Sequence, residues 1–307
     1  MPDGIVTKRR TKLLGTAAAV IKARHPTMLL YGGAGVGKTM LTTQFPDVYF
    51  LDSEGGATQP EYRQKLRDAG ALYLGPEDGA ASMEVVLDQV RALATTRHDR
   101  KTLVIDSITK LFANEVAREA ERLADAGKKN EFGADRKPAV NQMRQLVAWL
   151  PRLSMNVILT AGEVAEWGLV NGERAQVGTT FDAWVRLEYE LDLAINMFKV
   201  GTRRMARVRK TRLAAFAQGE TFECTYEEFS QRMGGVIEEA PEPEKFATPV
   251  QLAEVARLLD IVRLDEGTVD KWLAAANVSG WDEMSEERVA KAITYLQGRI
   301  APAPAGA

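Results

Sequence analysis

The run Gly32-Gly33-Ala34-Gly35-Val36-Gly37-Lys38-Thr39 fills the pattern G-x-x-x-x-G-K-[ST] at every position. Its glycines let successive backbone N–H groups turn toward one anion, and the helix that follows adds its positive N-terminal end. A lysine at this place reaches the β- and γ-phosphates of a nucleotide, and the threonine hydroxyl can serve Mg²⁺. The run, with Met40 directly after it, is a candidate cradle for a nucleoside triphosphate such as ATP. Two other segments end apolar runs in acid. In "KTLVIDS", Asp106 can hold the hydration shell of the metal opposite Thr39, or it can simply cap the next helix. In "VYFLDSEGG", Asp52 and Glu54 stand two apart on an extended chain and point to the same side. Glu54 can orient and deprotonate an attacking water, with Asp52 a helper to the metal. A solvated turn acid is the bland alternative.

These side chains need strands that end together and loops that open at one edge. From Thr27 to about Tyr226, β-rich runs alternate with helical stretches, as in an α/β domain with a mainly parallel sheet. "TMLLY", "VYFLD", "ALYLG", "TLVID", "NVILTAG" and "AWVRLEYEL" read as strands, with "MARVRK" and "TFECTY" as a later antiparallel addition. "SMEVVLDQVRALAT" and "AVNQMRQLVAWLPRL" have helical spacing. Residues 1–237 form the expected core. Residues 238–248, "EEAPEPEKFAT", read as an acidic, Pro-rich, solvated linker. Residues 249–300 read as a small bundle of three helices. Thr248 caps the first, Pro249 opens it, and Leu252, Val255, Ala256 and Leu259 form its apolar face. The tail 301–307, "APAPAGA", is expected to be disordered.

The chain has 307 residues, 45% hydrophobic and 27% charged, ordinary for a globular protein with a full core. One cysteine, Cys224, excludes an internal disulfide, and two histidines exclude a zinc-site spacing. No apolar run is long enough to span a membrane and no signal-peptide core is present, so a cytosolic setting is the default. A net charge of −2 leaves nucleic-acid binding to local patches.

The order GGAGVGKT, then Asp52-Ser53-Glu54, then Asp106-Ser107 resembles the RecA-type recombinases. The likeness runs over about residues 25 to 226 and is nearest to phage-type, core-only RecA-like proteins, including the Sak-group single-strand annealing proteins. It implies a RecA-like P-loop core, ATP and Mg²⁺ as cofactors, and Glu54 as the residue that activates water. "AWVRLEYEL" is similar to the strand after the second DNA-binding loop of those proteins. "RKTRLAAF" is similar to a Lys-x-Lys element that reaches the neighbouring subunit's ATP, which makes Lys210 and Arg212 trans-acting cations. The resemblance further implies a homo-oligomer, ring or filament, in the cytosol of a bacterial host. There are departures. The polar sensor, often glutamine, is replaced here by Thr160-Ala161-Gly162 with Glu163 just after, and no N-terminal polymerisation strand is evident.

Candidate nucleic-acid contacts fall in three places. Lys199 to Arg212 holds seven basic residues and no acid, and Arg203, Arg204 and Arg207 either face DNA or decorate an exposed hairpin. "AGKKNEFGADRKP" offers Lys128, Lys129, Phe132, Arg136 and Lys137, and "GEVAEWGLVNGERAQVG" offers Trp167 and Arg174. Long loops that mix basic and aromatic residues suit single-stranded DNA, where rings stack on bases, although mobile surface loops are the plain alternative. Glu163, Glu166 and Glu173 weaken the second loop electrostatically. The bundle, with nine acids against six bases from Pro249 to Ile300, is a poor DNA grip. Its Trp272 and Trp281 belong to a small core or mark a docking surface for a protein partner. The expectation is an Mg²⁺- and ATP-dependent oligomer on single-stranded DNA in annealing or homologous recombination. The alternatives are a helicase or helicase-loader motor and a nucleotide-gated binding module without significant turnover.

Overall fold

The computed structural model describes residues 25–96, 98–130, 133–238, 245–276 and 278–300. In chain order the core elements are β1 (Thr27–Gly32), α1 (Lys38–Thr42), β2 (Val48–Asp52), α2 (Pro60–Asp68), β3 (Leu72–Leu74), α3 (Met83–Thr95) and β4 (Thr102–Asp106). There follow α4 (Ile108–Asp125), α5 (Arg136–Trp149), β5 (Asn156–Ala161), β6 (Glu163–Val170), β7 (Glu173–Phe181) and α6 (Leu187–Glu190). β8 (Leu193–Val200), β9 (Arg203–Thr211), β10 (Thr221–Glu223) and α7 (Tyr226–Met233) complete the core. Beyond it come α8 (Pro249–Ile261), α9 (Thr268–Ala276) and α10 (Glu286–Gln297).

Eight strands form one sheet in the order β10-β9-β8-β1-β5-β4-β2-β3. It is parallel from β8 to β3 and antiparallel at the β8-β9-β10 edge. This is the α/β architecture with a mainly parallel sheet that the sequence implied. Every residue of β1 is buried because layers cover both faces of the sheet. Leu29 and Tyr31 face the layer of α3, α4 and α5, while Met28 and Leu30 face α1, α7 and the Phe216/Phe222/Phe229 group. Parallel strands present their C-terminal ends on one side, so Gly32, Asp52 and Asp106 emerge at the same edge.

Two expected elements differ. "AWVRLEYEL" is not a strand: it is a turn leading into α6, with Trp184, Leu187 and Leu191 buried. Those three residues repeat at three and four, a helical spacing. The strand that follows the second loop is instead β8, "LAINMFKV", which pairs with β1. The second loop itself is a ribbon, β6 paired antiparallel with β7. Asn171 (φ 53°) and Gly172 (φ 87°) make its two-residue turn, which needs positive φ at both positions.

In the C-terminal segment the Thr248 hydroxyl accepts from Gln251 N, and the Gln251 side chain accepts from Thr248 N, a reciprocal cap with Pro249 as the first helical residue. The buried face of α8 is Val255 and Leu258, with Leu259 partly covered. Ala256 is exposed, so the stripe is rotated from the expected one. Trp272 and Trp281 meet edge to face at 6.1 Å. Where the segment ahead of α8 is described it touches the core. Phe246 stacks on Trp149 at 6.1 Å, and Arg152 lies 4.4 Å over Trp149 while donating to Glu283 O. Arg91 pairs with Glu283 at 3.1 Å. Residues 239–244 of the expected linker, and the tail, lie outside the described residues.

Candidate functional site

The phosphate loop leaves β1 at Gly32 and enters α1 at Lys38. Gly32 is fixed by close approach: a Cβ there would come 2.2 Å from Met197 O on β8. Gly37 has φ 103°, a region that side chains resist. Lys38 Nζ donates to Gly32 O at 2.7 Å and Gly33 O at 3.1 Å, so its amine points back into the loop. Burial pushes the Lys38 ammonium below its usual range, while the charges of Asp106, Glu54 and Glu163 oppose that shift. These four groups thus share one electrostatic site, as the sequence order suggested for three of them.

Thr39 Oγ1 donates to Asp106 Oδ2 at 2.6 Å, and Thr160 Oγ1 donates to Asp106 Oδ1. Burial raises the Asp106 pKa, opposed by the two hydroxyls and reinforced by the charges of Asp52 and Glu54. A hydroxyl beside a carboxylate is a hard oxygen donor set, which suits Mg²⁺. Among the described residues no cluster of three or more His, Cys, Asp or Glu could hold an ion, so a metal at Thr39 and Asp106 would need phosphate or water oxygens as well. The Asp106–Ser107 peptide is cis. Ser107 Oγ donates to Glu54 Oε1, which ties the candidate base to the end of β4.

Asp52 is placed differently from its expected role. One of its oxygens accepts from Glu54 N (3.1 Å) and Gly55 N (2.7 Å), the other from Ala57 N (2.8 Å) and the Tyr73 hydroxyl (3.1 Å). A carboxylate has about four acceptor sites, and all are taken. Asp52 therefore builds the turn that carries Glu54, and no lone pair is left to serve a metal.

The β6-β7 ribbon begins at this site. Glu163 lies against the loop, with Oε1 3.2 Å from where a Gly33 Cβ would sit, and its other oxygen accepts from Asn196 at 3.4 Å. Three residues on, Glu166 takes two hydrogen bonds from Arg209 of β9, at 2.8 and 2.9 Å. Arg209 also donates to Glu188 at 3.0 Å. Hydrogen bonds from Arg209 hold the Glu166 carboxyl below its ordinary range. Phe181, at the ribbon's other foot, meets Tyr31 edge to face at 5.9 Å. Arg209 was not singled out from sequence as a working residue, because only tertiary packing brings it to Glu166 and Glu188.

The other expected residues separate. Trp167 is exposed on the ribbon with the Arg174 guanidinium 5.3 Å from its ring. Lys128 and Lys129 are exposed after α4, and Arg136 and Lys137 open α5; Phe132 lies outside the described residues. Arg203 and Arg207 are exposed, the latter against Phe198. Arg204, by contrast, sits beside Gly37 of the loop. Lys210 donates to Leu191 O and Arg212 to Tyr189 O, and Arg212 also lies 3.9 Å from Asp192. Both lie toward the N-terminal end of β1, since Thr211 pairs with Leu193, and Leu193 with Met28. That end is about 13 Å from Gly32 at a rise of roughly 3.3 Å per residue. They do not meet the loop of their own protomer.

A phosphate loop at the C-terminal edge of a parallel sheet, with a strand-end acid bonded to its threonine, defines a P-loop nucleotide-binding domain. Residues 24–215 match the family model described as AAA domain, and the chain belongs to that family. Among solved structures the chain is similar to the RadB recombinase (17% identity, 64% of this chain and 86% of that one, TM-score 0.42). It is also similar to the flagellar accessory protein FlaH from Methanocaldococcus jannaschii (13% identity, 64% and 84%, TM-score 0.36). No curated protein sequence matches significantly. Among the described residues no helix is long and apolar enough to cross a membrane.

Proposed function

We propose that the protein is an ATPase that binds single-stranded DNA and acts in annealing or homologous recombination, with ATP held between subunits of a homo-oligomer. The observation that supports this most is the meeting of three distant segments at one sheet edge: Lys38 and Thr39, Glu54 through Ser107, and Asp106. Lys38 turns from the loop carbonyls to the β- and γ-phosphates when nucleotide enters. Glu54 aligns and deprotonates the attacking water, and Ser107 holds it in place. Mg²⁺, when bound at Thr39 and Asp106, supplies neutralisation of phosphate charge. Lys210 and Arg212, at the far end of the sheet, serve the nucleotide of the next protomer. Trp167, Arg174, Arg203, Arg207 and the Lys128/Lys129 segment offer the stacking and cationic surface for a DNA strand. Thr248 and Pro249 open a small helical domain whose Trp272/Trp281 pair is offered to a protein partner. A cytosolic, phage-encoded setting accompanies this reading.

The test is phosphate release at low salt, with and without single-stranded DNA. Stimulation by DNA is expected, and equal turnover would count against the DNA role. Lys210→Ala should lose turnover and regain it when mixed with Glu54→Gln subunits, because each mutant supplies what the other lacks. A second reading, a nucleotide-gated module, is favoured by one feature: Glu163 lies against Gly33 of the loop, and its negative charge acts on Lys38 and would repel an incoming phosphate. It predicts ATP-dependent assembly with no phosphate release.

A further inference from the structure

The pleat of β9 splits its basic strip. Ala206 and Val208 pack into the layer that holds Val36 and Leu41, and Arg204 lies on their side of the strand. There it covers the phosphate loop. A Cβ built on Gly37 would come 2.6 Å from Arg204 Nε and 3.1 Å from its Cζ, so the guanidinium fills the space that glycine leaves open. Arg204 is half-buried, and no ion pair to a carboxylate is found for it among the described residues. A half-buried cation without a counter-charge is costly, and an arriving anion would relieve that cost.

We propose that Arg204 binds the phosphate chain of the nucleotide in its own protomer, a cis cation distinct from Lys210 and Arg212. This rests on the nucleotide site proposed above. Gly37 directly precedes Lys38. Loop N–H groups cradle the α- and β-phosphates, and the lysine reaches the β- and γ-phosphates. Arg204 therefore stands at the α/β stretch, where its planar fork matches phosphate oxygens. The ligand class is nucleoside di- and triphosphates.

The experiment titrates ATP and ADP, without DNA, into the wild type, Arg204→Ala, Arg204→Lys and Lys38→Ala, with thermal melting of each nucleotide-free protein. Arg204→Ala should weaken both nucleotides about tenfold or more, the scale of one lost charge-assisted contact. Arg204→Lys should recover part of the loss, and melting of Arg204→Ala without nucleotide should be no lower than that of the wild type, since the cation removed has no counter-charge there. Wild-type affinity in Arg204→Ala beside a lost site in Lys38→Ala overturns the Arg204 assignment and leaves the nucleotide site standing. Unchanged affinity in both variants removes the loop as the site, and both readings fall. A drop in Arg204→Ala that tracks a lower melting temperature marks a packing role and also overturns the proposal.

Discussion

Arg209 locks the foot of the β6-β7 ribbon to the sheet, and its removal should be felt in global stability. Its side chain is 26% exposed, that of Glu188 15% and that of Glu166 36%. The pair with Glu166 is near the surface end of the range and is worth about 1 kcal/mol. Glu188 is more deeply placed, and losing its partner costs about 1–3 kcal/mol more as an unsatisfied charge. Arg209→Met keeps the apolar stem and should therefore lose about 2–4 kcal/mol in urea denaturation at pH 7. Arg209→Met with Glu188→Met should recover much of that loss, because no charge is then stranded. The pH dependence has a fixed sign. The folded-state pKa of Glu166 is depressed, so its contribution is present above the ordinary value of 4.5 and lost as pH falls through the folded value. The gap between wild type and Arg209→Met should accordingly narrow in acid. Hydrogen exchange should show earlier opening of the ribbon in the single variant. A variant within about 0.5 kcal/mol of wild type, or a double variant no better than the single, would refute the reasoning.

Two further outcomes concern the loop and its acid. Gly32→Ala forces a Cβ against Met197 O and should cost more than about 3 kcal/mol or abolish folding, whereas Gly235→Ala, with open space around it, should stay within about 0.5 kcal/mol; denaturation midpoints decide. Asp106→Asn removes a buried carboxylate that burial destabilises, so the nucleotide-free protein should melt at a higher temperature at pH 7 while phosphate release is lost. A lower melting temperature would contradict the burial argument.

The loop and the strands that carry it were legible because chemistry and periodicity agree there. GGAGVGKT admits one local shape, "TMLLY" and "TLVID" are fully buried runs bounded by turns, and "VYFLD" is buried but for the half-buried Tyr49. The ribbon was missed although Asn171-Gly172 is a strong hairpin signal. Its charged and apolar residues do not alternate cleanly, and one exposed two-stranded ribbon has little core to pattern it. β8 was missed for the opposite reason: buried on both faces at its start, it shows no alternation to separate it from the helical spacing of the preceding "AWVRLEYEL". Asp52 was read as a metal helper because strand-end position says which way a carboxylate points and not which N–H groups will fold back onto it. Arg204 and Arg209 looked alike in one basic run, and only the pleat and the bulge between Ala194 and Ile195 send them to opposite faces.

The most direct test is ATP binding and single-turnover phosphate release measured on the same Glu54→Gln preparation. The convergence of Glu54 and Lys38 predicts an ATP affinity close to wild type with release slowed about 100-fold or more, and loss of binding in Lys38→Ala. Wild-type release in Glu54→Gln would contradict the assignment of Glu54 as the residue that activates water.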